Sequence, residues 1–165
     1  KKGIVSTALF ADGGSAMIIS AQGEGPYIGD IAQKTWSNTR DMMGWDIDEA
    51  GLGLILARDI PSFVTREFVP VLDGFLARNG LEKAHVREPA CHPGGAKVID
   101  ALEGYFEHLP EGLPATRAVL RGFGNMSSPT VHFVLKELLR SSDDRPIITT
   151  ALGPGFTGAV GLVHP

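Results

Sequence analysis

The sequence has 165 residues, with 15 Lys and Arg against 19 Asp and Glu, and a formal net charge of -4. This length suits one domain that can bury a core, and the mild charge argues against a dedicated nucleic-acid-binding protein. A single cysteine excludes an internal disulfide framework and suits a reducing compartment. No apolar run reaches the roughly 18 residues that a membrane span needs. We therefore expect a soluble, cytoplasmic protein with no nucleic-acid partner and no membrane span.

The first third of the chain is a series of short apolar runs separated by glycine-containing turns. Because strand-like residues begin at once, without a polar lead-in, we expect the chain to be the later part of a longer protein. Residues 38–48 are predicted to be irregular. Residues 4–5 are strand-like, and the apolar run 6–10 ends in a turn at 11–14. We predict a buried strand at 15–20, an ambiguous strand at 27–36 and a further strand at 52–57.

The apolar spacing becomes helical after Ile60. It continues to Leu76, and Asn79-Gly80 supplies a stop signal for the helix. Pro70 lies inside this run, so we expect a kink or a break near Phe68. A short strand is predicted at 85–88.

Two glycine-rich loops then precede two further predicted helices. The first reads Cys91-His92-Pro93-Gly94-Gly95, before a helical run that ends at Leu109. The second spans 122–129, before a helical run that ends at Arg140. Proline fits the first turn of this second helix, with a serine available as its cap. Each loop places one hydrogen-bonding side chain, His92 or Asn125, ahead of a helix.

Two final strands are predicted at 147–152 and 157–163, around a glycine turn. Since strands, helices and glycine turns alternate along the chain, we predict an α/β layered fold. Residues 153–158 match the dinucleotide fingerprint GxGxxG. A strand follows them instead of a helix that could hold a pyrophosphate, which argues against nucleotide binding.

Simple structural roles compete with catalysis at the two loops. The five histidines and Cys91 lack the spacing of metal ligands, so no metal site is expected. Cys91 ends an apolar strand and is predicted to pack as a small hydrophobic residue. His132 lies on the polar face of its predicted helix, and we expect it to be exposed. Spacing alone favours a turn residue at His92 and a helix cap at Asn125.

Four strings occur in an order that resembles the C-terminal half of a type III polyketide synthase, the chalcone-synthase-like branch of the thiolase superfamily. They are ALFADG at 8–13, HPGG at 92–95, GNMSS at 124–128 and GPGF at 153–156. The resemblance covers essentially the whole chain. Residues 43–46 (MGWD) are more similar to microbial members that make alkylresorcinols or alkylpyrones.

The resemblance implies a thiolase-like fold, a mixed β-sheet with helices on both faces. Residues 1–22 would then be closing strands of an N-terminal half, and 23–165 the C-terminal domain. By position, His92 and Asn125 correspond to the family's catalytic histidine and asparagine. The resemblance also implies a set of substrate-binding residues, with Phe10 as an aromatic gate. Leu54 and Trp45 belong to this set, although both depart from the plant pattern. The others are Ser127 and the loop residues Gly94, Gly95, Gly153, Pro154, Gly155 and Phe156.

The implied reaction is a decarboxylative Claisen condensation of an acyl-CoA starter with malonyl-CoA. It needs no cofactor, since the CoA thioesters are the substrates. The family's nucleophilic cysteine lies in the N-terminal half and has no counterpart here, so we expect the isolated chain to be inactive. The expected partners are therefore the two thioesters, an N-terminal half carrying the cysteine, and a second copy in a homodimer.

Other functions remain open at this point. One alternative is a β-ketoacyl synthase of the fatty-acid initiation type, which shares the histidine–asparagine pair. Another is a non-catalytic fragment that binds acyl-CoA. The changes at Trp45 and Leu54 lead us to expect a long-chain fatty acyl starter.

Overall fold

The computed structural model describes residues 2–49 and 51–165. The helices are α1 (Lys2–Leu9), α2 (Ile60–Phe63), α3 (Val69–Arg78), α4 (Ala96–Tyr105), α5 (Pro114–Phe123) and α6 (Thr130–Leu138). The strands are β1 (Tyr27–Thr35), β2 (Met43–Asp48), β3 (Gly51–Leu56), β4 (Ala90–Cys91), β5 (Ile147–Gly153) and β6 (Thr157–His164). Within this described part, no helix is long and apolar enough to cross a membrane.

The main sheet has four strands in the order β1-β6-β5-β4. β4 runs parallel to β5, whereas the β5–β6 and β6–β1 pairs are antiparallel, so the sheet is mixed. β5 and β6 form a hairpin whose register runs from Ile147 opposite Val163 to Gly153 opposite Thr157. The two final strands are therefore confirmed. β2 and β3 form a separate antiparallel hairpin.

The two faces of the main sheet carry separate apolar clusters. Successive side chains of a strand point to opposite faces. Ile148 and Leu162 accordingly join a cluster with buried residues of α2, α3 and α4. Their neighbours Ile147 and Val163 join the cluster that holds the buried residues of α5 and α6. Helices thus cover both faces, and the predicted α/β layered fold is confirmed.

The predicted irregularity near Pro70 is confirmed as a π-helical segment, Val64–Phe68, between α2 and α3. The Val69 N–H donates to the carbonyl of Val64, five residues earlier. Pro70 has no N–H for a regular helical bond and its ring crowds the preceding turn, so a wider turn relieves the conflict. α3 then ends before Asn79 and Gly80, as predicted.

The N-terminal strands predicted from the sequence are wrong in this structure. The segment that includes residues 4–5 and most of 6–10 forms the helix α1. Residues 15–20 form no regular element and are exposed, with Ile18 99% accessible. A strand is stable only when its backbone groups are paired, and no described strand pairs with this segment. The domain boundary at residue 22 stays a prediction.

Two further predictions were wrong in the middle of the chain. Part of the segment predicted to be irregular, 38–48, is the strand β2. Its apolar residues alternate with Gly44 and Asp46, which is the period-2 pattern of a strand with one apolar face and was not recognised in the sequence. In place of the strand at 85–88, a short 3-10 turn (Lys83–His85) is followed by extended chain.

Arg87 and Glu88, just before β4, bond through their side chains to the ends of two helices. The buried Arg87 guanidinium donates to the carbonyl of Leu138, the last residue of α6, and to that of Asp143 in the loop that follows. The Glu88 carboxylate accepts the Ala115 N–H at 2.8 Å, at the N-terminal end of α5. These contacts satisfy helix ends that would otherwise lack partners. α5 itself was not predicted, although Pro114 stands in its first turn and the buried Ala115 and Val119 have helical spacing. A serine cap on α6 was also wrong, because α6 has no side-chain cap bond.

Candidate active site

The segments around Phe10 and Asn125 run side by side. The Asn125 N–H donates to the Leu9 carbonyl at 2.9 Å, and the Ala11 N–H donates to the Asn125 carbonyl at 2.9 Å. These bonds form a parallel bridge between Phe10 and Asn125. The backbone of the predicted gate residue is therefore held next to the predicted catalytic asparagine.

Gly124 makes this close approach possible. Its φ of +70° lies in the left-handed region, which favours glycine. A Cβ at this position would lie 3.0 Å from the Ala11 Cβ and 3.3 Å from the Leu9 carbonyl oxygen. A larger residue would therefore be strained in its backbone and would push the 9–11 segment away from Asn125.

The loop that carries His92 reaches the same place. The Asn125 Nδ2 atom donates to the Gly94 carbonyl at 3.4 Å, across 31 positions of sequence. The His92 Cδ2 atom lies 3.8 Å from the position that a Cβ on Gly94 would occupy. Gly94 is thus a common neighbour of both predicted catalytic side chains. The two loops, which the sequence only placed before separate helices, meet at this residue.

Hydrogen bonds fix the orientation of the Asn125 carboxamide. The side chain is buried, and its Oδ1 atom accepts the Ser127 N–H at 2.8 Å. A backbone N–H can only donate, so the carboxamide nitrogen must lie on the opposite side, towards Gly94. Among the described residues only Gly94 accepts from this nitrogen, which leaves its second hydrogen available for a ligand. Asn125 does not cap α6, which begins five residues later.

The His92 backbone extends the pairing of β4 with β5. Its N–H donates to the Thr150 carbonyl at 2.8 Å, and its own carbonyl accepts the Gly94 N–H at 2.9 Å. The second bond makes the tight bend that the sequence suggested. Burial lowers the pKa of the imidazole to about 4, so the ring is neutral near pH 7. A neutral ring offers one N–H donor and one acceptor nitrogen.

Cys91 is fully buried, and burial raises the pKa of its thiol to about 12. A thiol with such a pKa stays protonated and unreactive at neutral pH. The prediction that it packs as a small hydrophobic residue is confirmed, because it belongs to the larger apolar cluster. Within the described residues, no group of three or more His, Cys, Asp or Glu side chains could hold a metal ion.

The loop at 153–156 is the turn of the β5–β6 hairpin, and its Phe156 side chain points into the core. Phe156 is fully buried against Phe63 and Trp36, with ring centroids 5.1 and 6.2 Å away. Any wall that this loop offers to a ligand must therefore come from Gly153, Pro154 and Gly155. The role of this loop in lining the site stays a prediction.

Trp45 and Leu54 are direct cross-strand partners in the β2–β3 hairpin. Trp45 is 55% exposed and Leu54 is half-buried. β3 contacts α1, the helix that leads into Phe10. The hairpin is thus connected to the site through α1, and the binding role of the two residues stays a prediction.

Two contacts beside the asparagine loop were not predicted from the sequence. The Ser15 hydroxyl and the His132 Nδ1 atom are hydrogen-bonded at 2.7 Å, although both residues are exposed, as expected for His132. The Thr130 hydroxyl is buried and bonds to the loop at 126–127. A threonine shortly after a glycine-rich loop was the available signal for the second contact.

Residues 28–163 match the family model described as chalcone and stilbene synthases, C-terminal domain. The chain belongs to this family. A Bacillus subtilis (strain 168) protein that carries a chalcone synthase name is 31% identical over 174 residues, which cover 98% of this chain and 48% of that protein. The 1,3,6,8-tetrahydroxynaphthalene synthase of Streptomyces peucetius subsp. caesius is 31% identical over 171 residues, which cover 98% of this chain and 45% of that protein. The chain spans about half the length of these relatives.

Two solved structures share the fold of this family member. PKS-I from the brown alga Ectocarpus siliculosus has a TM-score of 0.75 at 24% identity, covering 84% of this chain and 39% of that one. The C-terminal type III polyketide synthase domain of Steely1, a type I/III hybrid from Dictyostelium, has a TM-score of 0.76 at 24% identity. This match covers 84% of the present chain and 40% of the Steely1 chain. The expected resemblance to the C-terminal half of a type III polyketide synthase is confirmed, and so is the thiolase-like fold.

We predict that Gly124→Ala lowers the free energy of unfolding by about 1–3 kcal/mol, because alanine is strained at this φ and crowds the Leu9 carbonyl. Urea denaturation measures the loss. Gly122→Ala is the matched control, because a Cβ there meets nothing within 4 Å. Its effect should stay within about 1 kcal/mol. Equal effects of the two variants would contradict the close approach at Gly124.

We predict that the His92 imidazole makes stability depend on pH. The unfolded chain binds this proton near pH 6.5, whereas the folded chain binds it near pH 4. The free energy of unfolding should therefore fall as the pH drops through this window, by up to about 3 kcal/mol from this residue. Urea denaturation at several pH values should show a flatter profile for His92→Gln than for the exposed control His132→Gln. Identical profiles would contradict a half-buried imidazole that is neutral at pH 7.

Proposed function

We propose that this chain supplies the histidine–asparagine pair of a type III polyketide synthase, an acyltransferase that condenses an acyl-CoA starter with malonyl-CoA. The hydrogen bond from the Asn125 carboxamide to Gly94, two residues after His92, in a member of the chalcone and stilbene synthase family, is the observation that supports it most strongly. The nucleophilic cysteine would come from an N-terminal half. We call the chain joined to that half the complete enzyme.

His92 and Asn125 would act on the thioester oxygen of malonyl-CoA. During decarboxylation, the bond between the carboxylate carbon and the α-carbon breaks, carbon dioxide leaves, and the electron pair forms an enolate. Negative charge then develops on the thioester oxygen. The N–H of neutral His92 and the free N–H of Asn125 would both donate to it. One such donor is typically worth about 3 kcal/mol in a transition state.

The enolate carbon would next attack the acyl group held as a thioester on the cysteine. A carbon–carbon bond forms, the cysteine thiolate leaves, and the extended chain remains on coenzyme A. No cofactor is needed, since every electron pair comes from the two thioesters. The chain cannot hold the acyl group itself, because its one cysteine is fully buried with its pKa raised to about 12. We therefore propose that it is inactive without its N-terminal half.

His92 would also activate the cysteine of the N-terminal half. An unperturbed thiol has a pKa of roughly 8.5 and is mostly protonated at neutral pH. A neutral imidazole next to it can accept the proton and stabilise the thiolate as an ion pair. The low pKa of His92 reflects burial without such a partner, and a neighbouring thiolate would raise it.

Phe10 would form an apolar surface beside the reacting thioester. Its backbone is bonded next to Asn125 and its side chain is half-buried, so it can face a ligand that reaches the carboxamide. An aromatic face excludes water from the departing carboxylate. Loss of water strengthens the hydrogen bonds to the enolate oxygen.

The β2–β3 hairpin would receive the starter chain. One face of the hairpin is entirely apolar, because alternate residues of each strand share a face. Trp45 and Leu54 lie opposite each other on this face. Such a surface suits a long-chain fatty acyl group, as in microbial synthases of alkylresorcinols or alkylpyrones. We propose that the complete enzyme is a cytoplasmic homodimer that draws on the acyl-CoA pool.

We predict that Asn125→Ala lowers malonyl-CoA decarboxylation by about 100- to 1,000-fold, because one donor to the enolate is lost. Radiolabelled carbon dioxide release by the complete enzyme measures it. Loading of the starter onto the cysteine should remain within about threefold of wild type, since that step precedes enolate formation.

Two variants sharpen this experiment. Asn125→Asp keeps the oxygen that accepts the Ser127 N–H but replaces the donor nitrogen, so it should be as inactive as Asn125→Ala. Ser128→Ala changes an exposed neighbour and should be fully active. Wild-type decarboxylation in either Asn125 variant would remove this residue from the proposed mechanism.

We predict that Trp45→Ala lowers kcat/KM for long-chain acyl-CoA about tenfold relative to a short starter, because an apolar contact with the chain is lost. Competition between two starters measures the ratio. Malonyl-CoA decarboxylation should not change. The control is Asp46→Ala, on the opposite face of the same strand. An unchanged ratio in Trp45→Ala would exclude the hairpin as the starter site.

A further inference from the structure

We propose that Thr130 is a positioning residue that orients the Asn125 carboxamide through the backbone of the loop between them. The inference rests on the proposed function of Asn125. Thr130 touches neither the thioester nor the predicted catalytic atoms, so it would act only through the loop.

The Thr130 hydroxyl bonds to the loop in both directions. Thr130 is fully buried, and its Oγ1 atom accepts the Met126 N–H at 2.9 Å. The same hydroxyl donates to the Ser127 carbonyl at 2.7 Å. The Thr130 N–H also donates to that carbonyl, at 3.1 Å. One side chain thus holds a donor and an acceptor on the two sides of the Met126–Ser127 peptide group.

That peptide group supplies the N–H that fixes the carboxamide. The Ser127 N–H donates to the Asn125 Oδ1 atom at 2.8 Å. Ser127 has a φ of +65°, a left-handed conformation that residues other than glycine and asparagine seldom adopt. Such a conformation persists where surrounding contacts enforce it. The hydroxyl of Thr130 is the side-chain group that bonds to both sides of this turn.

Loss of the hydroxyl would free the turn and then the carboxamide. The Met126 N–H would lose its bond to Oγ1 in a buried place, and the left-handed Ser127 would lose one of its restraints. Once the Ser127 N–H rotates away, only the long bond from the nitrogen to the Gly94 carbonyl, at 3.4 Å, still distinguishes the nitrogen of the carboxamide from its oxygen. The nitrogen would then be held less firmly towards Gly94 and the thioester. A displacement of about 1 Å in a catalytic group can reduce a rate about 100-fold.

The test compares Thr130→Val with Thr130→Ser in the complete enzyme. Valine keeps the shape and removes the hydroxyl, whereas serine keeps the hydroxyl and removes a methyl group. Decarboxylation of malonyl-CoA is measured per cysteine that loads the starter, so that only folded enzyme is counted. We expect Thr130→Val to lower kcat about 10- to 100-fold. KM for malonyl-CoA should change less than about threefold, and Thr130→Ser should be within about threefold of wild type.

A general packing role for Thr130 predicts the opposite order, because serine leaves a gap that valine does not. Equal kcat in wild type and Thr130→Val would therefore overturn the inference, and so would a larger loss in Thr130→Ser. If Thr130→Val loads no starter, Thr130→Cys and Thr130→Ala replace it. A thiol bonds weakly, so the cysteine variant should lose more activity than Thr130→Ser and less than Thr130→Ala. Asn125→Ala is assayed in parallel. If it decarboxylates normally, the proposed function fails; if it is inactive while Thr130→Val is normal, only the inference about Thr130 fails.

Discussion

The pair of backbone hydrogen bonds between Asn125 and the 9–11 segment is the constraint on which the site depends. It fixes where the asparagine loop lies relative to Phe10, and Gly124 permits it by leaving no Cβ between the two chains. The backbone bonds thus set the position of Asn125, and the bonds of its side chain set the orientation of the carboxamide. The weaker bond from the carboxamide to Gly94 brings in the histidine loop.

Burial gives the two polar side chains of the site different properties. Asn125 carries no charge, so its burial requires only that its hydrogen bonds be made. Burial disfavours the charged form of His92, so the pKa of its imidazole falls to about 4 and the ring is neutral near pH 7. The neutral imidazole is suited to donating one hydrogen bond and accepting another. Burial also raises the pKa of the adjacent Cys91 thiol and makes it unreactive. Of these two neighbouring residues, Cys91 therefore has a packing role and His92 a proposed chemical role.

The sequence predicted the α/β fold and located both loops, because glycine-rich bends before apolar helices are local signals. It could not predict that Gly94 joins them, since that contact spans 31 positions. The helix α5 was missed although its sequence carries local signals, a proline in the first turn and buried residues at helical spacing. The prediction of a strand at 15–20 was wrong because a local pattern alone does not make a strand. Its local pattern was strand-like, but no described strand pairs with it.

The central claim is that one imidazole and one carboxamide converge on a single thioester oxygen. A crystal structure of the complete enzyme with an unreactive malonyl-CoA analogue tests it most directly. The account predicts that the thioester oxygen lies within about 3.2 Å of both a His92 ring nitrogen and the Asn125 Nδ2 atom. An oxygen bound by only one of them, or side chains that face away from each other, would contradict it.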